Sequence, residues 1–211
     1  MALVFRPRIE EDNMRVKSSV AALFLSAAFC LPAQAQISSE YTQLDSQTNC
    51  TVFAQAAEGE GDWANLVCDG WRGYPVMLQY SDARESLYYG YPPAGDMAPV
   101  WESFASFNST GPTIEWRLEQ RGEARVPVAA IHRWFVSTGE GDDVQVLVVE
   151  KVGQPFERDG CAMAYVMSTG NPDANEKARN YADNLVHGFS CGDQPAIDAG
   201  SVPLPEFTRF E

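Results

Sequence analysis

The chain has 211 residues, 45% of them hydrophobic, which is enough to bury one sizeable core. Its 29 acidic residues outnumber 15 basic ones, and the net charge of −14 argues against nucleic acids and anionic membranes as partners, since both repel it. Such a charge suits a basic partner or a polyvalent cation. The simpler interpretation, which we favour, is that the charge only keeps the protein soluble.

An export signal begins at Met14 rather than at Met1. Residues 1–13 include three acidic side chains that do not suit a cationic leader, so we interpret Met14 as the translation start, with a genuine extended leader as the alternative. Two basic residues then precede an apolar run over 20–31, and the small residues of Ala33-Gln34-Ala35 suit a signal peptidase. The run is shorter than the roughly 20 residues that span a bilayer, so we expect a cleaved signal and no membrane anchor in the mature chain.

Four cysteines remain once Cys30 leaves with the signal: Cys50, Cys68, Cys161 and Cys191. An even number in an exported chain predicts two disulfides, for which three connectivities exist. We favour Cys50–Cys68 and Cys161–Cys191, because these pairs close only local loops. The spacings contain no Cys-x-x-Cys and no nearby histidine pair, so we predict neither a metal site nor a cofactor.

The predicted β-strands begin after a polar segment. Residues 36–48 are polar and are expected to form a flexible arm, and residues 49–195 are expected to form a single domain. Short alternating runs closed by turn residues predict two β-hairpins in the first part of this domain. Their strands are residues 50–55 with 63–68, and residues 74–80 with 86–91.

The strongest predicted strands lie in the middle of the chain. They cover residues 113–119, 126–136 and 144–152, and a further strand covers 161–167, whereas 100–107 suits either a strand or a short helix. The run 126–136 is apolar on both faces, so it is expected to be central in the sheet and covered on both sides. Together these runs predict a long, curved antiparallel meander.

One helix is predicted to pack on this meander, which makes the fold class α+β. Asn171 suits its N-cap, Pro172 its first turn and Gly188 a left-handed end, and Asp173 and Lys177 are spaced for an ion pair on the exposed face. Residues 196–211 follow as an unpatterned C-terminal tail. The apolar stripe of the helix consists of Ala174, Ala178, Tyr181, Ala182 and Leu185.

No pattern of residues identifies a catalytic site. The mature chain has two histidines and no Gly-x-Ser-x-Gly. We interpret His132 as a hydrogen-bonded strand residue and His187 as a residue at the helix end. Glu115 and Arg117 are most simply a surface ion pair. The acidic loop 140–143 offers oxygen ligands, but it lacks the alternating spacing of a calcium loop.

Aromatic residues are concentrated in the segment 71–91, and they are the candidate binding residues. Trp and Tyr rings stack on sugar rings and anchor protein interfaces, because they combine apolar area with a polar group. The alternative, which we favour, is that they are ordinary core and sheet residues. The candidates are Trp71, Tyr88, Tyr89 and Tyr91.

Several motifs together resemble an uncharacterised family of exported bacterial proteins, over roughly residues 68–193. The family has no assigned activity, so the resemblance implies a bacterial, periplasmic setting but no particular ligand or catalytic residue. The motifs are Cys68-Asp-Gly-Trp-Arg-Gly-Tyr-Pro-Val, Trp101-Glu-Ser-Phe, Thr113-Ile-Glu-Trp-Arg, Gln145-Val-Leu-Val-Val, Asn171-Pro-Asp-Ala-Asn and Gly188-Phe-Ser-Cys-Gly.

These observations favour a non-catalytic binding or interaction module of the bacterial cell envelope, periplasmic or secreted. Residues 1–35 hold four basic and three acidic residues, so the mature chain has 11 basic and 26 acidic side chains and a net charge of −15. Its expected partner is a basic envelope protein or a glycan. The alternatives are a periplasmic hydrolase that uses His132 or an acidic pair, and a structural envelope component.

We expect the mature protein to begin at Gln36, because Ala33 and Ala35 fill the two small-residue positions of the signal peptidase site. N-terminal sequencing of the exported protein measures this directly. A lipid-modified Cys30 would contradict the prediction, which assumes that the bulky Phe29 before it does not suit a lipoprotein signal.

Overall fold

The computed structural model describes residues 2–3, 36–94, 96–99, 101–139 and 141–210. The predicted leader and signal peptide, residues 1–35, lie outside these residues except for positions 2 and 3, and so does Glu140 of the acidic loop. No helix in the described part is both long and apolar enough to cross a membrane.

The described residues form twelve strands and one helix. In chain order these are β1 (Ile37–Gln43), β2 (Cys50–Gln55), β3 (Trp63–Asp69), β4 (Pro75–Ser81), β5 (Arg84–Tyr89), β6 (Trp101–Phe104), β7 (Asn108–Arg121), β8 (Ala124–Val136), β9 (Val144–Lys151), β10 (Cys161–Met167), α1 (Ala174–Leu185), β11 (Ala196–Asp198) and β12 (Phe207–Phe210).

The strands form three sheets. A six-stranded sheet has the order β1-β7-β8-β9-β10-β11, in which only β10 and β11 are parallel, and a four-stranded sheet has the order β2-β3-β4-β5. β6 and β12 form a two-stranded sheet. The predicted α+β fold, with a helix on mostly antiparallel sheet and two disulfides, is confirmed. The single meander is instead divided, because the first two hairpins form a sheet of their own.

The apolar strand β8 lies between β7 and β9, as its pattern predicts. On one face, Ala130 and Trp134 join a core cluster that includes Leu66 of the four-stranded sheet. On the other face, Val128 and Ile131 pack against the buried alanines of α1. The six-stranded sheet is therefore covered by the second sheet on one side and by the helix on the other.

The apolar stripe of α1 is confirmed, but the ends of the helix differ from the prediction. The N-cap is Asp173, which makes no side-chain capping bond. Asn171 accepts a hydrogen bond from the Asp173 N–H at 3.3 Å, so it stabilises the turn before the helix rather than the helix itself. Gly188 has no left-handed conformation, and the C-cap is Val186 in right-handed geometry. The residues of the stripe that are fully buried are Ala174, Ala178 and Ala182.

The predicted flexible arm contains a strand. β1 pairs along its whole length with β7, from Ile37 opposite Glu119 to Gln43 opposite Thr113. The prediction was wrong here because β1 is polar, and its stability comes from main-chain hydrogen bonds to an edge that its own sequence does not reveal. Its side chains also reach the core, since Thr42 accepts a hydrogen bond from the Trp116 indole at 2.8 Å.

The predicted C-terminal tail also contributes strands. β11 adds to β10, and its Asp198 pairs with Lys177 at 3.0 Å, which replaces the predicted pair between Asp173 and Lys177. β12 adds to β6 and packs Phe207 against the core. Strands of three and four residues are too short to show a period, which is why the tail looked unpatterned.

Glu115 and Arg117 form a buried ionic network instead of a surface pair. Arg117 donates to Asp183 of α1 at 2.6 Å, and Arg179 of α1 donates to Glu115 at 2.7 Å. Ser39 of β1 donates to Glu115 at 2.5 Å. The prediction of a surface pair was wrong because α1 covers the face of β7 that alternation alone assigned to solvent.

Both predicted disulfides are present. Cys50 and Cys68 are paired residues on neighbouring strands of the four-stranded sheet, whereas Cys161 on β10 is joined to Cys191 beyond α1. The second disulfide therefore ties the chain after the helix to the six-stranded sheet. Two disulfides are consistent with an oxidising, extracytoplasmic compartment.

We expect Cys191→Ser to reduce the free energy of unfolding more than Cys50→Ser does. Loop-entropy estimates are about 3.5 kcal/mol for the Cys161–Cys191 loop and about 3 kcal/mol for the Cys50–Cys68 loop, and only the first loop contains the helix. Urea unfolding of the two variants measures the difference, with Cys161→Ser as a control that should match Cys191→Ser. An equal or larger loss for Cys50→Ser would contradict this order.

Candidate functional site

Two buried carboxyl groups form the most unusual polar feature of the core. Glu102 lies on β6 with 6% of its surface exposed, and Glu150 lies on β9 with 3% exposed. Val146 and Val148 precede Glu150 on the same inward face of β9, so the alternation places a carboxyl group where another apolar side chain would be expected. We call Glu102 and Glu150 the carboxyl pair.

Hydrogen bonds hold the Glu102 carboxylate. Arg209 of β12 donates from Nη1 to Oε1 at 2.8 Å, and the main-chain N–H of Ala162 donates to Oε2 at 3.1 Å. Ala162 lies where the pairing of β10 with β9 shifts register, between Ala162 and Ala164. The backbone N–H of Glu102 is held in turn by the Ser86 hydroxyl at 2.9 Å.

Burial and charge shift the ionisation of the carboxyl pair. Burial raises the pKa of both groups, and for Glu150 the nearby charge of Glu102 raises the pKa further, to well above its usual value. Among the described side chains, Arg209 is the only cation that forms an ion pair with either group. Because Arg209 donates to Glu102, we assign the negative charge to Glu102 and the retained proton to Glu150.

A cavity of about 280 Å³ adjoins Glu102. Its walls include Tyr165 of β10 and Phe207 of β12, whose ring centroids are 4.5 Å apart, and the Phe207 ring is 4.9 Å from that of Phe104. Arg209 lines the same cavity with 32% of its side chain exposed. The cavity thus combines aromatic walls with a carboxylate that already holds a guanidinium group.

This arrangement suits the binding of a cation better than chemistry on a substrate. A carboxylic acid beside a carboxylate can exchange protons with a substrate, but only when both groups are within hydrogen-bond reach of it. Both members of the carboxyl pair are nearly inaccessible, and Arg209 occupies the outer side of Glu102. No group of three or more His, Cys, Asp or Glu residues suitable for a metal ion is found in the described parts of the chain.

His132, the candidate catalytic residue of the hydrolase alternative, is a core residue. His132 is fully buried, and burial lowers its pKa to about 4. Its Nε2 lies 2.5 Å from the carbonyl oxygen of Gly111 and its Nδ1 lies 2.7 Å from the Tyr89 hydroxyl. Nε2 therefore donates to Gly111 and Nδ1 accepts from Tyr89, which agrees with the structural interpretation of His132. His187 is exposed and pairs with Glu119 at 2.9 Å.

Three of the four candidate binding aromatics are buried as well, which agrees with the favoured interpretation that they are core and sheet residues. Trp71 donates to Glu40 at 2.7 Å, and Tyr89 has 1% of its surface exposed. Tyr88 is also buried, whereas Tyr91 is partly exposed, so a binding role for Tyr91 stays a prediction. The two sheets cover these rings, and strand propensity alone does not show which rings are covered.

The position of Tyr88 depends on two glycines. A Cβ atom at Gly153 would lie 2.4 Å from the Tyr88 hydroxyl, and one at Gly160 would lie 2.9 Å from its ring. The hydroxyl lies 3.1 Å from the carbonyl oxygens of Tyr91 and Arg158, to which it can donate. Tyr88 therefore packs inside the protein, where burial, and after it the charge of Asp159, raises the pKa of its hydroxyl group.

An open groove of about 550 Å³ lies near the C-terminal end of α1. Val128 and Val186 contribute to its apolar floor, and Phe156 on its rim is 99% exposed. Its Lys151 is paired with Asp159 at 3.0 Å. The groove offers contact area, but it lacks the buried polar groups with shifted pKa values that distinguish the carboxyl pair.

Sequence analysis did not identify the carboxyl pair. The available signal was Glu150 at an inward position of an otherwise apolar strand, which predicts a buried charge that needs a partner. The cation of the site, Arg209, pairs with Glu102 instead, 107 residues earlier in the chain, and lies in a segment without a recognisable period. Acidic residues are so numerous in this chain that Glu102 alone carried no signal.

In comparisons with known proteins, no protein-family model, no curated protein and no solved structure matches this chain. The resemblance to exported bacterial proteins therefore stays a prediction.

We expect Glu150→Gln to stabilise the protein at high pH. The folded-state pKa of Glu150 is raised above its usual value of 4.5, so the wild type loses stability as the pH rises above about 4.5 and the unfolded chain ionises. Glutamine has a similar size and does not titrate. The variant should melt at a higher temperature than the wild type at pH about 8, and the gap should close towards pH about 4.

Thermal denaturation followed by circular dichroism measures this gap. The matched control is Glu58→Gln in the exposed turn between β2 and β3, which should change the melting temperature little at either pH. A gap that widened towards low pH would show that burial does not raise the pKa of Glu150.

Proposed function

We propose that this protein is an exported, non-catalytic binding module that takes up a cationic segment of a basic partner at the carboxyl pair. The observation that carries this proposal is that the buried carboxylate of Glu102, with the second buried carboxyl group of Glu150 nearby, holds the guanidinium of Arg209 from β12. A second cation at this position would find a carboxylate already desolvated and oriented by the Ala162 N–H.

The overall charge supports a basic partner. At −15 for the mature chain, the long-range field attracts cationic proteins and raises their rate of encounter. Charge by itself gives no specificity, which requires a desolvated anchor point. The cavity beside Glu102 supplies one, because the carboxylate is buried and aromatic rings line the cavity.

A periplasmic setting fits this activity. The two disulfides are consistent with an oxidising, extracytoplasmic compartment, and the predicted signal peptide would deliver the chain there. A binding module that relies on charge also suits the cell envelope, where basic proteins are accessible to it.

A periplasmic hydrolase is the second candidate, and the raised pKa values of the carboxyl pair favour it, since catalytic acids have this property. In such a hydrolase the catalytic groups would be the carboxyl pair and not His132, because both ring nitrogens of His132 form hydrogen bonds inside the core. We rank this candidate lower because the group that occupies Glu102 in the structure is a guanidinium, which is a cation and not a hydrolysable substrate.

A hexa-arginine peptide is a suitable probe of the proposed site. We expect it to bind the wild type, to bind more weakly as salt rises, and to bind Glu102→Gln about tenfold more weakly, since one charge-assisted contact is lost. Isothermal titration calorimetry at several salt concentrations measures this. The control Glu58→Gln removes the same charge from the exposed turn and should change the affinity less than about twofold.

Equal losses of affinity in Glu102→Gln and Glu58→Gln would show that only the net charge matters, which contradicts a site at the carboxyl pair. Binding that does not respond to salt would also contradict the proposal. Turnover of an envelope glycan that disappears in Glu150→Gln while the fold persists would support the hydrolase instead.

A further inference from the structure

The strand β12 occupies a slot on the edge of β6. Phe207 pairs with Phe104 and Arg209 pairs with Glu102 in antiparallel register, and the Ala105 N–H donates to the carbonyl oxygen of Glu206 at 2.9 Å. β6 has no other strand partner in the described residues. The edge of β6 therefore receives its main-chain hydrogen bonds from the end of the chain.

The slot selects two side chains of the strand that fills it. Phe207 and Arg209 are two residues apart, so they project from the same face of β12. The first inserts among the rings of Phe104 and Tyr165, at centroid distances of 4.9 and 4.5 Å. The second donates to Glu102. The slot thus fits an extended segment with an aromatic residue two positions before an arginine.

β12 is one of the short strands of the structure. It has four residues, against 14 in β7 and 13 in β8, and residues 199–206 before it contain no helix or strand. Its arginine is partly exposed, as noted above. Phe207 packs against the rings of Phe104, Trp134 and Tyr165, but a strand of four residues opens at a lower free-energy cost than β7 or β8, so β12 can exchange.

We propose that the edge of β6 is a strand-binding site, and that β12 is its internal occupant, which a partner displaces. The partner presents an extended segment with the pattern aromatic-x-arginine, adds it to β6 as a strand, and places its arginine on Glu102. This mode of recognition combines main-chain hydrogen bonds for affinity with alternate side-chain pockets for specificity. The inference rests on the proposed function and names the form in which the cationic segment binds.

β12 determines how tightly an external segment must bind in order to displace it. A tethered segment acts at an effective concentration in the millimolar range, so an external segment must bind more strongly than β12 does or be present at high local concentration. A second contact outside the slot, such as the long-range attraction between a basic partner and the acidic chain, supplies part of that advantage.

The probe for this site is the peptide Pro-Glu-Phe-Thr-Arg-Phe-Glu, which is identical to residues 205–211, added to the full-length protein. We expect it to bind Arg209→Ala about tenfold more tightly than the wild type, because the internal competitor is weakened. Fluorescence anisotropy of the labelled peptide measures this. A peptide of the same composition in scrambled order, with no aromatic residue two positions before the arginine, should bind at least about tenfold more weakly.

Hydrogen exchange on the wild-type chain tests the displacement without any variant. When the peptide is bound, the amides of β12 should exchange faster, while those of β6 stay protected because the peptide takes the place of β12. Unchanged protection of β12 with the peptide bound, or equal binding of the scrambled peptide, would overturn the proposal. A dimer joined by exchanged β12 strands that excludes the peptide would assign the slot to a second copy, which also overturns it.

The two proposals can fail separately. If hexa-arginine binding depends on Glu102 but the peptide does not release β12, the cation site is supported and the strand exchange is overturned. If binding does not depend on Glu102 and β12 is not released, both proposals are overturned. Release of β12 by the aromatic-x-arginine peptide alone supports the slot and identifies the segment that the site takes.

Discussion

Both faces of β8 are apolar, and the need to bury both at once governs the arrangement of the rest of the chain. Such a strand is stable only between two covering layers. On one side the layer is α1, whose buried alanines allow the helix to approach the sheet closely. On the other side it is the four-stranded sheet, which brings larger side chains to the core. The order of the layers thus follows from one segment of thirteen residues.

The small sheet of β6 and β12 is bonded to both larger sheets through Glu102. The Ser86 hydroxyl of the four-stranded sheet accepts from the Glu102 N–H, and the Ala162 N–H of the six-stranded sheet donates to the Glu102 carboxylate. Burying two carboxyl groups costs free energy, which the Arg209 and Ala162 contacts offset only in part. A core that needed only stability would have an apolar pair here, and this is why we associate the carboxyl pair with function.

The parts of the fold that sequence analysis predicted are those in which local pattern and final environment agree. The strands at 50–55 and 161–167 match the structure within a residue, because period-two alternation and cysteine spacing both survive folding. The strand β1 was missed because its polar side chains serve a neighbour, β7, that is more than 60 residues away. The carboxyl pair was missed for the same reason, since its environment is built from β6, β9 and β12, and no local pattern encodes their meeting.

The hydrogen bond between His132 and Tyr89 has a consequence for how the two large sheets lie over each other. His132 belongs to the six-stranded sheet and Tyr89 to the four-stranded one, so this bond crosses the core. Apolar layers tolerate small sliding, whereas a directional bond is satisfied at one offset only, and its loss leaves two buried polar groups unpaired. The bond requires a neutral imidazole with Nδ1 as acceptor. Because burial lowers the pKa of His132 to about 4, its contribution to stability is complete above pH about 6.5 and decreases as the pH falls towards 4, so the offset between the sheets is held by an acid-sensitive contact.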